Sequence, residues 1–160
     1  MNRFMEEQWP MFEGTHAMRA ELLATLSDTD LGFNPGGQNM TLGALFREMG
    51  EIEYSYIQSL KTLKQDFNYR NTEPDLDCSG SKIKAWYDKL DGEMKATLAA
   101  FSDDDLKKTV DRGGFSPSVE TQIAPPSPTA HPFRSLAKCS PRTPLAPVDG
   151  RVEAPAAVIL

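Results

Sequence analysis

The sequence predicts an all-α fold, an up-and-down bundle of helices, and three observations carry that expectation. Apolar residues recur at every third and fourth position through long segments, which lays them along one side of a helix. A Ser-Asp-x-Asp-Leu motif closes two of those segments, at residues 27–31 and again at 102–106, and a Gly-rich loop comes after each copy. Polar capping residues stand where new helices should begin, Thr41 and Ser116 among them.

The first segment places Met5, Trp9, Phe12, Leu22, Leu23 and Leu26 mainly on one side, interrupted at Pro10 and Gly14. Pro10 marks either a kink or a helix start, because proline has no backbone N–H to give and fits only a first turn. His16 and Arg19 share this apolar side with Phe12 and Leu23. The second segment, Thr41 to Phe67, carries Leu42, Leu45, Phe46, Met49, Ile52, Tyr56, Leu60 and Leu63 in one stripe, with Thr41 as its cap. Glu53 stands beside Phe46, Met49 and Ile57, so it also points inward. An unpaired inward charge costs several kcal/mol. Arg19 and Glu53 are therefore expected to pair. Glu48 and Glu51 fall on the flank and outer face, where a solvated charge is the ordinary reading and a general acid and base the sharper one. The third segment, Ser81 to Phe101, aligns Ile83, Trp86, Tyr87, Leu90, Met94, Leu98 and Phe101. At helical spacing Trp9, Trp86 and Tyr87 read as core in preference to a cofactor pocket.

Leu22 to Leu31 reads much like Thr97 to Leu106, and the residues after the two copies also correspond. After the first come Asn34-Pro35-Gly36-Gly37 and the long helix at Thr41; after the second come Arg112-Gly113-Gly114-Phe115 and a helix start at Ser116-Pro117. Pro125-Pro126-Ser127-Pro128 then ends that fourth helix within a few residues, since each interior proline costs roughly 3 kcal/mol. The expected organisation is a helical domain over 1–123, with its fourth helix truncated, and a Pro-rich, disordered tail over 124–160. Eight of the chain's 12 prolines lie in that tail. Its Pro-x-x-Pro spacings suit polyproline-binding grooves, and the abruptness of the change is also what a shifted reading frame would produce.

The formal net charge is −6, divided as −8 over 1–123 and +2 over 124–160, and no helical segment offers a basic stripe for phosphates. Nucleic acid is thus an unexpected partner. No run of 18 apolar residues exists to cross a membrane, and acidic residues at Glu6 and Glu7 stand where a signal peptide would be apolar, so the expected compartment is the cytoplasm. Cys78 and Cys139 lack Cys-x-x-Cys spacing and are expected as reduced thiols.

The order of helix, Ser-Asp-x-Asp-Leu, Gly-rich loop and Thr41-Leu42-Gly43-Ala44-Leu45-Phe46-Arg47-Glu48-Met49-Gly50-Glu51-Ile52-Glu53 resembles the DinB-like (YfiT-like) superfamily over about residues 3–123. That resemblance implies a four-helix bundle, often dimeric, in which many members hold a divalent metal through three histidines and several act as thiol-dependent transferases or isomerases. It implies one metal histidine on the second helix and two on the fourth as His-x-x-x-His. Here Glu48 fills the second-helix position, Glu53 matches an acidic residue common in the family, and the only histidines are His16 and His131. The histidine site is absent from the sequence. A degenerate centre using Glu48 and His16 for zinc or nickel is the remaining metal reading, and a bound metal is not expected from so few ligands. The expectation is a catalytically incomplete protein whose unfilled bundle groove is closed by self-association, as a homodimer, or by an incidental partner. Alternatives are a metal-dependent thiol S-transferase or hydrolase, and a helical interaction module with a Pro-rich tail.

Overall fold

Residues 2–124 are described in the computed structural model of the chain, which divides into the units Met1–Ile123 and Ala124–Leu160. Six α-helices make up the first unit: α1 (Arg3–Glu7), α2 (Trp9–Thr25), α3 (Asp28–Leu31), α4 (Leu42–Thr62), α5 (Gly80–Ala99) and α6 (Val119–Ile123). Two 3-10 turns, Leu76–Cys78 and Asp105–Lys107, join them, and strand pairing among the described residues is limited to two isolated bridges. The expectations for the Pro-rich tail, its Pro-x-x-Pro spacings, His131 and Cys139 lie outside the described residues.

The three long segments fold as helices, with ends set by local chemistry. Pro10 sits in the first turn of α2, where its missing N–H leaves no gap in the ladder, so it starts a helix after α1. Asn2 fastens that junction: its side chain caps α1 at Met5 and donates to the carbonyls of Leu98 and Phe101, each at 2.7 Å. Thr41 caps α4, its Oγ1 accepting from Ala44 N at 3.2 Å.

The second helix is shorter than its apolar pattern predicts. Leu63 turns left-handed at φ 56°, and the chain leaves α4 there instead of continuing to Phe67. Such a conformation costs a non-glycine residue about 1–2 kcal/mol. Pairing offsets it: Asp111 N donates to the Leu63 carbonyl at 2.9 Å and Gln65 N donates to the Asp111 carbonyl at 2.8 Å. Asp111 belongs to a turned-back segment around Gly113 and Gly114, held by Val110 N to Pro117 O and Val119 N to Lys108 O, which buries Val110 and Val119 completely.

The buried face of α4 also differs from the apolar stripe. Phe46, Gly50, Glu53, Ile57 and Leu60 are buried, whereas Leu45 is exposed and Met49 and Ile52 are half-buried. Glycine explains the rotation. A Cβ on Gly50 would lie 2.6 Å from the Trp86 ring, and one on Gly43 would lie 1.8 Å from the Asp77 carbonyl oxygen, so at these two positions a neighbour occupies the space of a side chain. Leu22, expected inside, is exposed on α2 because Arg19 and Leu23 take the inner side.

The sequence repeat is a structural repeat. Ser27 and Asp30 exchange hydrogen bonds as a capping box, with Ser27 N and Oγ donating to the carboxylate at 2.8 and 2.6 Å; Ser102 and Asp105 repeat the arrangement at the same two distances. Each box drops a leucine, Leu31 or Leu106, into the core. The start of the last helix falls two residues later than expected. Ser118, not Ser116, caps α6 by accepting from Thr121 N, and Pro117 lends its carbonyl to Val110 instead.

Candidate functional site

Three helices deliver charged groups to one interior point. On α2, His16 and Arg19 are three residues apart and so share a face; on α5, Tyr87 and Asp91 are four apart; α4 supplies Glu53 between them. Arg19 is buried and central. Its Nη1 donates to Glu53 Oε2 at 2.7 Å, its Nη2 donates to Asp91 Oδ1, and its guanidinium lies 3.9 Å from the centroid of the Tyr87 ring. Tyr87 is fixed in turn by donating its hydroxyl to the Phe46 carbonyl at 2.7 Å. His16 Nδ1 stands 3.2 Å from Asp91 Oδ1, and its ring meets Trp9 and Phe12 edge to face.

Charge balance at this point is unusual. Two carboxylates share one guanidinium, and Glu53 Oε1 is buried without a hydrogen-bond partner. Burial pushes the Glu53 carboxyl up to about 7, with Asp91 adding to the rise and Arg19 opposing it. Burial pushes His16 down, against the pull of Asp91, which favours the neutral imidazole. Burial also raises the Tyr87 hydroxyl, which stays protonated as a donor.

His16, Glu53 and Asp91 each offer one ligand atom, all within 4.8 Å of one another, and such a mixed nitrogen and oxygen set could coordinate a metal ion. Arg19 already supplies a cation to both carboxylates. Glu48 takes no part: it is exposed on α4, outside this group. The three-histidine centre implied by the family resemblance is therefore not assembled among the described residues, where His16 is the single histidine.

Of the residues singled out in the sequence, the structure brings His16, Arg19 and Glu53 together and leaves Glu48 apart. It adds Asp91 and Tyr87, which sequence reading missed as polar partners. Their signal was present, since Asp91 lies one turn beyond Tyr87 on a face otherwise apolar. Glu51 is a correction: it is buried, not solvated, and accepts from Asn71 N at 2.9 Å and Arg47 Nε at 3.2 Å. Arg47 also donates to the Asn71 carbonyl, so Glu51 fastens the 64–75 connection to α4. Its role is accounted for by that anchoring. Cys78 is a free, exposed thiol that the neighbouring Asp77 carboxylate pushes up, the opposite of an activated nucleophile.

No described helix is long and apolar enough to cross a membrane. Comparison of the chain with family models, with curated proteins and with solved structures finds no match.

Proposed function

We propose that this chain is a DinB-like helical protein that is catalytically incomplete as it stands and acts through its surface, by self-association. One observation supports this above the others: the protein's own guanidinium occupies the group of metal-type ligands, with Arg19 bonded to both Glu53 and Asp91. The family's metal chemistry needs an open cation, and Glu48, standing where the family has its second-helix histidine, is a lone exposed carboxylate. Self-association has a surface to use. Met11, Met18 and Leu22 lie along one side of α2 at 47%, 71% and 51% exposure, three large apolar side chains open on one helix face.

The second reading is a metal-dependent thiol S-transferase or hydrolase using zinc or nickel. The spacing of His16, Glu53 and Asp91 favours it, because within 4.8 Å three donors need little rearrangement to close on an ion. Elemental analysis of the purified chain separates the two. Zinc and nickel far below one per chain is the result expected; a stoichiometric ion, lost on His16→Ala and kept on Glu48→Ala, would establish the second reading instead.

A further inference from the structure

We propose that His16, Glu53 and Asp91 form a latent divalent-cation site that Arg19 keeps closed, the guanidinium standing in the charge position of a metal ion. The inference rests on the geometry of this cluster and not on the family reading. Three helices contribute one donor each, so the donor set is fixed by the packing of the fold and does not depend on a loop. The donors are an imidazole and two carboxylates, a combination that suits Zn2+ and Co2+. Around a tetrahedral ion with bonds of about 2.1 Å, ligand atoms stand roughly 3.4 Å apart. Here the three atoms lie within 4.8 Å of one another, and His16 Nδ1 is already 3.2 Å from Asp91 Oδ1, so closing on an ion asks for a modest side-chain rotation.

Two further features point to a cation site in preference to an ordinary ion pair. Glu53 is only 5% exposed and its Oε1 has no partner, which leaves a carboxylate oxygen ready for an ion. Arg19 is held from a third direction by the Tyr87 ring, whose face attracts cations generally. The space is thus shaped for one positive charge. A metal ion and a guanidinium cannot share it, because two cations a few ångströms apart in a buried volume repel strongly. With Arg19 present the site refuses metal; without it, the buried Glu53, the part-buried Asp91 and the His16 imidazole are left with no cation among them and with the volume of a guanidinium to fill.

The test is a Co2+ titration of the full chain, followed by visible absorption, with Zn2+-dependent melting as a second readout. Wild type is expected to show no cobalt bands and no change in melting temperature. Arg19→Ala should bind one Co2+ per chain and melt higher with Zn2+, and adding His16→Ala should weaken that binding about tenfold or more. Arg19→Lys, which keeps the charge, should stay metal-free. If Arg19→Ala does not fold alone, recovery of its helical circular dichroism on adding Zn2+ supports the inference and lack of recovery overturns it. A folded Arg19→Ala chain that takes up no Co2+ overturns it too, as does wild type that binds Co2+ through His16. Metal held by wild type through Glu48 alone would count against the proposed function without touching the cluster.

Discussion

Arg19 is the residue on which the interior turns, and its neighbours make that testable by pH. Glu53 has a folded-state pKa of about 7, above the roughly 4.3 of an unfolded glutamate, so between those values the folded chain keeps a proton that the unfolded chain has lost. This group's contribution to stability is therefore full below about pH 4 and is lost as pH rises through 7, on the order of 1 kcal/mol per unit within that window. Glu53→Gln, which holds the protonated shape, should flatten that fall, and melting curves of both proteins from pH 5 to 8 check it; parallel curves would exclude Glu53 as the titrating group. Part of this arrangement was legible in the sequence. Two inward charges on separate apolar faces must find each other, and that requirement alone pairs Arg19 with Glu53. Asp91 was missed although its place one turn beyond Tyr87 on an apolar face signalled it, and Glu51 was hidden because its partner Asn71 lies in a connection without periodicity.

Among elements, α4 shows why a stripe of apolar residues gives a helix but not its orientation. Leu45, Met49 and Ile52 drew the expected face, yet close approach at Gly43 and Gly50 rotated the helix toward α5 and the Leu76–Cys78 turn. Helix propensity alone favours alanine over glycine by about 0.8–1 kcal/mol, so the sign of each Gly→Ala change reports packing directly. Gly43→Ala should destabilise most, since its Cβ would meet a backbone carbonyl at 1.8 Å, and Gly50→Ala should destabilise less, against the Trp86 ring. Gly92→Ala, on α5 with nothing within 4 Å, should stabilise by a few tenths to about 1 kcal/mol. Urea denaturation of the three variants measures the order, and a stable Gly43→Ala would mean that α4 sits differently. The early end of α4 was hidden for a related reason. Leu60 and Leu63 continue the helical spacing, but the pairing of Leu63 with Asp111 joins positions 48 residues apart, beyond the reach of local pattern. The repeat itself was legible, but it was read as closing two helices, whereas Ser27 with Asp30 and Ser102 with Asp105 form capping boxes that open a new turn.

For the whole molecule, three long segments predicted as helices are helices, and the described chain enters a fourth only as far as Val119–Ile123. The uncovered strip on α2 gives a further expectation: sedimentation of the full chain should show association that rises with concentration, and Met18→Lys with Leu22→Lys should abolish it while leaving the helical signal intact. A wild type that stays monomeric throughout would remove self-association from the proposal. The claim that joins residue, element and molecule is that a guanidinium on α2 ties α4 and α5 into one polar interior. A double-mutant cycle between Arg19→Met and Glu53→Gln, read by equilibrium unfolding, tests it most directly. Coupling of about 1–3 kcal/mol is the expected result for a buried pair in one network; additive single effects, with no coupling energy, would contradict it.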